Sequence, residues 1–192
     1  MKRSTINFLV QSATRCFHAH SWALPPNPRW DMTDFGLGDW RRFGLVLVNL
    51  AEEPEYCEKL MYAQGGMTTP AHTHRKKKED IICRSGRLAV KVWSGHPQDA
   101  AGRPVQVPLN HAAHEVPSGT VIELPAGSRV TLQPGVYHEF YPLTSEAIIG
   151  EVSTANDDLH DNFFVDGNIG RYPGIEEDEP ATVRLLSEDV LP

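Results

Sequence analysis

From Phe43 onward, the chain consists of short segments rich in β-branched and aromatic residues, each ended by turn-forming residues. Eight such segments are FGLVLVNL, EKLMYAQ, EDIICR, RLAVKVW, TVIELP, RVTLQP, EFYPL and AIIGEVS. Segments of this length and composition, bounded by Gly, Pro, Ser or Asp, are typical of β-strands. Because no helical segments alternate with them, the pattern predicts an all-β sandwich or closed barrel and not a parallel α/β sheet.

The N-terminal part of the chain shows a different pattern. Its apolar residues at helical spacing are Ile6, Leu9, Val10, Ala13 and Phe17. With Ser4 as a suitable N-cap, this spacing predicts an amphipathic helix that packs on the domain. The next stretch, SWALPPNPRWDMTDFGLGDW, is rich in Pro, Gly and Trp, so we expect a long irregular connection there.

With 192 residues, the chain is long enough for one sizeable core, and we expect a single domain. Three parts are predicted within it. Residues 1–42 form the helix and connection packed on the barrel, residues 43–166 form the barrel, and residues 167–192 form a tail that wraps it. The Pro-, His- and Ala-rich stretch 94–119 is expected to be a surface insertion.

Charge and cysteine content narrow the class of partner and compartment. A net charge of −7 disfavours docking on nucleic acid or on an anionic membrane, so a small-molecule substrate fits better. No apolar run approaches the roughly 20 residues needed to cross a bilayer, and the N-terminus lacks signal-peptide features, so we expect a cytoplasmic protein. Three cysteines without a CxxC pair indicate free thiols.

The stretch GMTTPAHTHRKKKEDIICRSGRL contains a candidate metal-ligand run. Residues two apart on a strand point to the same face, so His72 and His74 can present both imidazoles to one point. The odd separation of five residues between His74 and Glu79 requires a turn or bulge between them. Lysines at that bend either project around the metal or lie solvated at the mouth of the site, and spacing alone leaves both alternatives open.

This run resembles the cupin superfamily. The residues from Gly66 to Gly86 match its first conserved motif throughout, and GSRVTLQPGVYHEF supplies the counterpart of the second motif. The second match departs from the usual pattern at Pro134 and Pro142 but keeps the frame from Gly127 to His138. The resemblance implies a cupin-type double-stranded β-helix, which is a jelly-roll barrel, with an N-terminal helix.

The same resemblance implies one divalent metal ion, held by four ligands: His72, His74, Glu79 and His138. Three imidazoles and one carboxylate suit Mn²⁺, Fe²⁺, Co²⁺ or Zn²⁺, and the ligand set does not select among them. An octahedral ion held by these residues keeps two open positions, which is the arrangement of a catalytic site.

Three segments together resemble the D-lyxose isomerase family of bacterial cupins: TTPAHTHRKKKEDIICRSGRLAVKVW, EVSTANDDLHDNFF and GRYPGIEEDEP. This resemblance implies a homodimeric aldose–ketose isomerase that converts D-lyxose to D-xylulose and D-mannose to D-fructose. It also implies Mn²⁺ as the preferred ion and proton transfer through an enediolate that the metal stabilises. The alternatives are a cupin dioxygenase and a non-catalytic sugar-binding cupin, but the polar residues around the motif favour a polyol substrate.

The family resemblance also suggests catalytic residues. Lys77 is the catalytic candidate, because a lysine near a cation can have its pKa lowered toward a useful range, whereas Lys76 and Lys78 are expected to face solvent. Glu176 in the tail is its expected carboxylate partner, with a solvated acidic run as the alternative. Candidate sugar-binding residues are Asp157, Asp158, Asp161 and Arg171. Turn capping is the alternative for the three aspartates.

Overall fold

The structure is a computed structural model that describes residues 1–154, 156–158, 160–170 and 174–190. Within these ranges the helices are α1 (Arg3–Ala19) and α2 (Ser187–Val190). The strands are β1 (Arg29–Thr33), β2 (Leu45–Glu52), β3 (Tyr56–Gln64), β4 (Thr69–Thr73), β5 (Glu79–Ser85), β6 (Arg87–Trp93), β7 (Pro104–Gln106), β8 (Glu115–Pro117), β9 (Thr120–Pro125), β10 (Arg129–Leu132), β11 (Tyr137–Pro142), β12 (Glu146–Thr154) and β13 (Phe163–Phe164). No helix in the described part is long and apolar enough to cross a membrane.

The strands form two antiparallel sheets that enclose one core. The six-stranded sheet has the order β1-β2-β3-β12-β5-β10, and the five-stranded sheet has the order β13-β4-β11-β6-β9. Fully buried residues such as Ile81, Val90 and Ile149 come from both sheets and belong to one hydrophobic cluster. This arrangement confirms the predicted all-β jelly-roll barrel with an N-terminal helix.

Helix α1 covers the outer face of the six-stranded sheet. The ring of Phe17 is 6.4 Å from Trp30 on β1 and 6.4 Å from Tyr62 on β3, measured between centroids. The helix begins at Arg3, one residue before the predicted cap Ser4. Ser4 instead donates its amide and hydroxyl hydrogens to the carboxylate of Asp178, so the C-terminal tail supplies the cap.

Two segments predicted as irregular contain strands. The stretch between α1 and residue 43 includes β1, which pairs with β2 along its whole length from Arg29 to Thr33. The insertion 94–119 includes the β7–β8 pair and buries Val105 and Val107. All three strands are short and lie among prolines and glycines, which hides them from a search for strand-like runs.

The tail runs back along the N-terminus. Its backbone pairs with residues 1–3 through Glu176, and Leu185 pairs with Trp30 on the edge strand β1. The buried guanidinium of Arg3 donates to the carboxylates of Glu177 and Glu188 at 2.6–3.2 Å. Charged contacts therefore fasten the described part of the tail to α1 and β1.

Candidate metal centre and active site

Two strands of the five-stranded sheet and one strand of the six-stranded sheet bring four buried ligand atoms together. His72 on β4 lies directly opposite His138 on β11, and His74 follows the last residue of β4. Glu79 is the first residue of β5 in the facing sheet. One ligand atom from each of these four residues lies within 4.8 Å of all the others. The predicted ligand set is thus assembled by the barrel itself.

The turn that precedes His138 is docked against the first motif. The amide of Gly135 donates to the carbonyl of His74 at 2.7 Å, and the hydroxyl of Thr73 donates to the carbonyl of Val136 at 3.1 Å. Gly135 has a φ of +87°, a region that L side chains rarely adopt. The PGxxH sequence therefore sets the position of His138 relative to His74.

Backbone carbonyls fix the tautomers of the three imidazoles. The Nδ1 atoms of His72, His74 and His138 lie 2.8, 2.6 and 3.3 Å from the carbonyl oxygens of other residues. Because a carbonyl oxygen can only accept, each Nδ1 carries a hydrogen, and in the neutral imidazole each Nε2 then keeps its lone pair. This is how metal-binding histidines are usually oriented.

The lone pairs of this cluster face one another. Among the described residues, His74 Nε2, His138 Nε2 and Glu79 Oε1 are buried atoms without a hydrogen-bond partner. Nevertheless, Glu79 Oε1 lies 2.8 Å from His138 Nε2 and 3.4 Å from His74 Nε2. Acceptor atoms at such distances repel unless a proton or a metal cation lies between them. The cluster therefore fits a divalent metal ion.

The turn between His74 and Glu79 separates the three lysines. Lys77 is 5% exposed, whereas Lys76 and Lys78 are exposed. The ammonium of Lys77 lies 3.0 Å from Glu79 Oε2 and 3.0 Å from Glu151 Oε1. The structure thus directs one lysine of the triplet toward the metal ligands and leaves its neighbours at the surface.

A second buried lysine extends this network of charged side chains. Lys59 on β3 lies 3.5 Å from Glu151 Oε1 and 3.3 Å from Asp158 Oδ2. Its ammonium also donates to the side-chain oxygen of Asn156 at 3.0 Å. Glu151 on β12 is therefore held between two ammonium groups, those of Lys59 and Lys77.

The surroundings set the protonation states of these groups. Burial favours a neutral Lys77, but Glu151 and Glu79 outweigh burial, so the pKa of Lys77 is raised above its usual value. Burial opposes ionisation of Glu79 as well, yet the ammonium of Lys77 holds its pKa well below the usual range. Burial lowers the pKa of His72 well below 6.5. At neutral pH this gives an ammonium, a carboxylate and a neutral imidazole. The carboxylates of Glu151 and Glu79 therefore act on the pKa of Lys77 in the direction opposite to the lowering expected near a cation.

A pocket lined by both charged and apolar residues adjoins the cluster. Its charged residues are Asp31, Lys59, Lys77, Glu79, Glu151 and Asp158. Fully ionised, these four carboxylates and two ammonium groups give the pocket a net charge of −2, which one divalent cation neutralises. Its apolar residues are Met32, Phe35, Leu45, Leu47, Met61, Phe140 and Phe164. Asp158 and Asn162, which precede β13 in the sequence, also line this pocket.

The remaining predicted site residues are distributed differently. Glu176 lies beside Lys2 at 3.8 Å, 67% exposed, and its backbone pairs with the N-terminus, so the structure does not bring it to Lys77. Asp158 lines the pocket, whereas Asp157 is a half-buried residue whose carboxylate caps the turn at His160. Arg171 lies outside the described residues.

Asp161 also has a different role from sugar binding in this structure. It is buried, and its carboxylate accepts hydrogen bonds from the backbone amides of Arg75, Lys76 and Lys77. Those bonds correspond to the turn-capping alternative. The carboxylate is consequently engaged by the protein itself.

Glu151 and Lys59 were missed in the sequence. Both face the barrel interior, as the register shows by pairing Glu151 with Lys59 across β12 and β3. A signal was present, because Lys59 shares strand parity with Met61 and Glu151 with Ile149, both buried core residues. Glu58, the residue before Lys59, points to the opposite face of β3. Knowing which face of β3 is buried was therefore necessary to identify Lys59 as the inward-facing residue.

Comparison of the sequence with those of known proteins also indicates a sugar isomerase. A D-lyxose isomerase family model matches residues 27–189. A D-lyxose/D-mannose isomerase of Serratia proteamaculans is 36% identical, covering 98% of this chain and 97% of that protein. A D-lyxose/D-mannose isomerase of Escherichia coli O157:H7 is 32% identical, covering 98% of both chains.

A similar fold occurs in solved structures. The L-ribose isomerase of Acinetobacter sp. DL28 in complex with L-ribose superposes with a TM-score of 0.67 at 17% identity, covering 92% of this chain and 98% of that chain. The L-ribose isomerase of Cellulomonas parahominis with L-ribose gives a TM-score of 0.64 at 18% identity, covering 88% and 94%. Together with the buried ligand cluster, the sequence matches establish that this chain is an isomerase belonging to the D-lyxose isomerase family.

Proposed function

We propose that the protein interconverts free aldoses and ketoses, principally D-lyxose with D-xylulose and D-mannose with D-fructose, with one divalent metal ion. The observation that carries the proposal is the buried cluster of His72, His74, Glu79 and His138 beside the Glu151–Lys77 pair. The activities named for the family relatives support the choice of sugars.

The cluster supplies the metal-binding part of the chemistry. These four residues would hold a divalent ion, which when bound would supply Lewis-acid polarisation of a sugar carbonyl and stabilisation of negative charge on the sugar oxygens. The Nδ1 atoms of His72 and His74 are engaged by backbone carbonyls, which leaves Nε2 of each ring for the metal, and Glu79 contributes a negative charge. The protein thereby prepares an anionic, pre-oriented site before any substrate enters.

Glu151 is our candidate for the group that moves the proton. Its carboxylate lines the pocket. The ammonium of Lys77 lies 3.0 Å from this carboxylate and also contacts Glu79. A carboxylate in this position can take the proton from the carbon beside the carbonyl and return it to the neighbouring carbon. This assignment replaces Glu176 as the proposed partner of Lys77.

Lys77 remains our proposal for the second catalytic group, with a changed role. Because its pKa is raised, it stays an ammonium and does not act as a base. A fixed positive charge beside Glu151 orients that carboxylate and stabilises the negative charge that develops on the sugar oxygens. Lys59 donates from the other side of Glu151 and limits its movement.

The pocket wall suits a small polyol. Asp158 and Asn162 offer hydrogen-bonding groups for sugar hydroxyls, while Phe35, Phe140 and Phe164 offer faces for C–H groups. We retain Asp158 as a sugar-binding candidate because it lines this pocket. This combination favours a sugar over an aromatic substrate of a dioxygenase.

We also propose the identity of the metal ion, the cellular compartment and the oligomeric state. Imidazole and carboxylate ligands are compatible with Mn²⁺, which we propose as the resident ion, with Co²⁺, Fe²⁺ and Zn²⁺ as alternatives. The three cysteines, all in the described ranges, are buried free thiols, which supports a reducing compartment such as the cytoplasm. A homodimer is proposed on family resemblance and is tested by light scattering.

The direct test is a sugar panel. Chelated protein, reloaded with Mn²⁺, is incubated with pentoses and hexoses in air and under argon, and the products are separated by chromatography. We expect D-xylulose from D-lyxose and D-fructose from D-mannose, at equal rates with and without oxygen. Strict dependence on O₂ would move the protein to the dioxygenases, and binding of sugars without any product would make it a non-catalytic sugar-binding cupin.

A further inference from the structure

The carboxylate of Asp161 lies at the centre of the turn that joins β4 to β5. Oδ1 accepts the amide hydrogen of Arg75 at 2.9 Å, and Oδ2 accepts that of Lys77 at 2.9 Å. The amide of Lys76, between them, lies 3.2 and 3.1 Å from the two oxygens. Consecutive amides directed at one anion form a concave anion-binding nest. Here the anion is a side chain of the protein.

The backbone of the same residue contacts a metal ligand. The carbonyl oxygen of Asp161 accepts the Nδ1 hydrogen of His74 at 2.6 Å. Thus the carboxylate holds the main chain of Lys77, while the carbonyl sets the tautomer and ring orientation of His74. One buried residue therefore contacts both functional parts of the site, the metal ligands and the charged pair.

The segment that carries Asp161 is anchored independently on both sides. Before β13, the amide of Asp161 donates to the carbonyl of Asp157 at 2.9 Å. After it, β13 pairs Phe163 with Thr73 and Phe164 with His72, and the guanidinium of Arg75 lies 4.0 Å above the ring of Phe163. The segment is held next to β4, so Asp161 links two rigid parts of the fold.

We propose that Asp161 is a positioning residue that couples the C-terminal segment to the metal centre by holding His74 and Lys77 in their working geometry. The charge explains why a carboxylate is needed, because the turn RKKK carries four cations next to a cation-binding site. An anion in the nest offsets their mutual repulsion. The inference deepens the proposed function and rests on it for the role of Lys77.

The test compares Asp161→Asn with Asp166→Asn as a matched control. Asp166 lies on the same segment and is exposed, and its carboxylate accepts amide hydrogens only from Asn168 among the contacts described. The readouts are hydrogen exchange of amides 75–77 in the chelated protein, Mn²⁺ affinity by titration, and kcat. For Asp161→Asn we expect faster exchange, a loss of about 10–100-fold in Mn²⁺ affinity, and a lower kcat. The control should match the parent.

A purely structural role gives different results. If Asp161→Asn lowered Tm but kept amide protection and Mn²⁺ affinity within about twofold of the parent, the proposal would be overturned. In a Lys77→Met background, Asp161→Asn should still weaken Mn²⁺ binding but cost little further kcat, since part of its effect passes through Lys77. A full additional loss of kcat would contradict the coupling. The exchange and affinity readouts need no isomerase activity, so they separate this inference from the proposed function.

Discussion

Replacing Lys77 by Met removes the ammonium between two buried carboxylates while keeping a side chain of similar length. The ammonium lies 3.0 Å from an oxygen of Glu79 and 3.0 Å from one of Glu151. At this separation and an effective dielectric constant of about 20, each pair attracts by about 5 kcal/mol before desolvation is counted. Breaking a buried pair by removing one partner costs about 3–5 kcal/mol, so the metal-free variant should lose stability of this order.

The catalytic effect of Lys77→Met should be larger than its effect on metal content. We expect kcat to fall by about 10²–10⁴, because Glu151 loses its orientation and the reacting oxygens lose a positive charge. Mn²⁺ content should stay at one equivalent, since the four ligands remain and the site becomes more negative.

The matched controls are Lys76→Met and Lys78→Met, which change exposed residues of the same triplet. Their kcat should remain within about twofold of the parent, because solvated surface charges contribute little. The assay is turnover of saturating D-lyxose with metal content measured in parallel. Equal small losses in all three variants would refute the reasoning, and loss of metal in Lys77→Met would make its role structural.

Three further outcomes follow from the site. Glu151→Gln should lower kcat by about 10²–10⁴ with unchanged Mn²⁺ content, and near-parental turnover would exclude Glu151 as the proton carrier. The double variant His74→Ala/His138→Ala should retain no metal after dialysis, as measured by atomic absorption; a full equivalent would contradict the ligand assignment. The pKa of His72 is lowered below 6.5 in the folded chain. As pH falls, the imidazole of His72 is therefore protonated in the unfolded chain before it is protonated in the folded chain. Chelated protein should therefore lose stability below about pH 6.5, and a Tm independent of pH between 6.5 and 5 would refute this.

The barrel was predictable because its strands carry a two-residue period. On β9, for example, buried Ile122 and Leu124 alternate with exposed Val121 and Glu123. Long β-branched runs with turn residues at their ends identify such strands without tertiary information. The short strand β1 could not be found in this way, because its position depends on pairing with β2.

The metal ligands were predictable because they lie close together in sequence or in a fixed motif frame. His72, His74 and Glu79 span eight residues, and His138 follows a recognisable turn. The turn geometry that buries Lys77 and exposes its neighbours depends on Asp161, a residue 84 positions away. Long-range contacts of this kind leave no local pattern.

The charged partner of Lys77 illustrates the same limit. The family resemblance favoured Glu176 in the acidic tail, but the tail pairs with the N-terminus, where Glu176 contacts Lys2. Glu151 reaches Lys77 because β12 and β5 are neighbours in the six-stranded sheet. Strand order therefore decides which carboxylate meets the lysine.

The central claim is that one metal ion at His72, His74, Glu79 and His138 makes this protein an aldose–ketose isomerase. The most direct measurement is the rate of D-xylulose formation from D-lyxose under argon as Mn²⁺ is added stepwise to chelated protein. We expect no ketose without metal and a rate that rises until one Mn²⁺ per chain is bound, with no rise for His138→Ala. Formation of ketose independent of metal, or none at any metal concentration, would contradict the account.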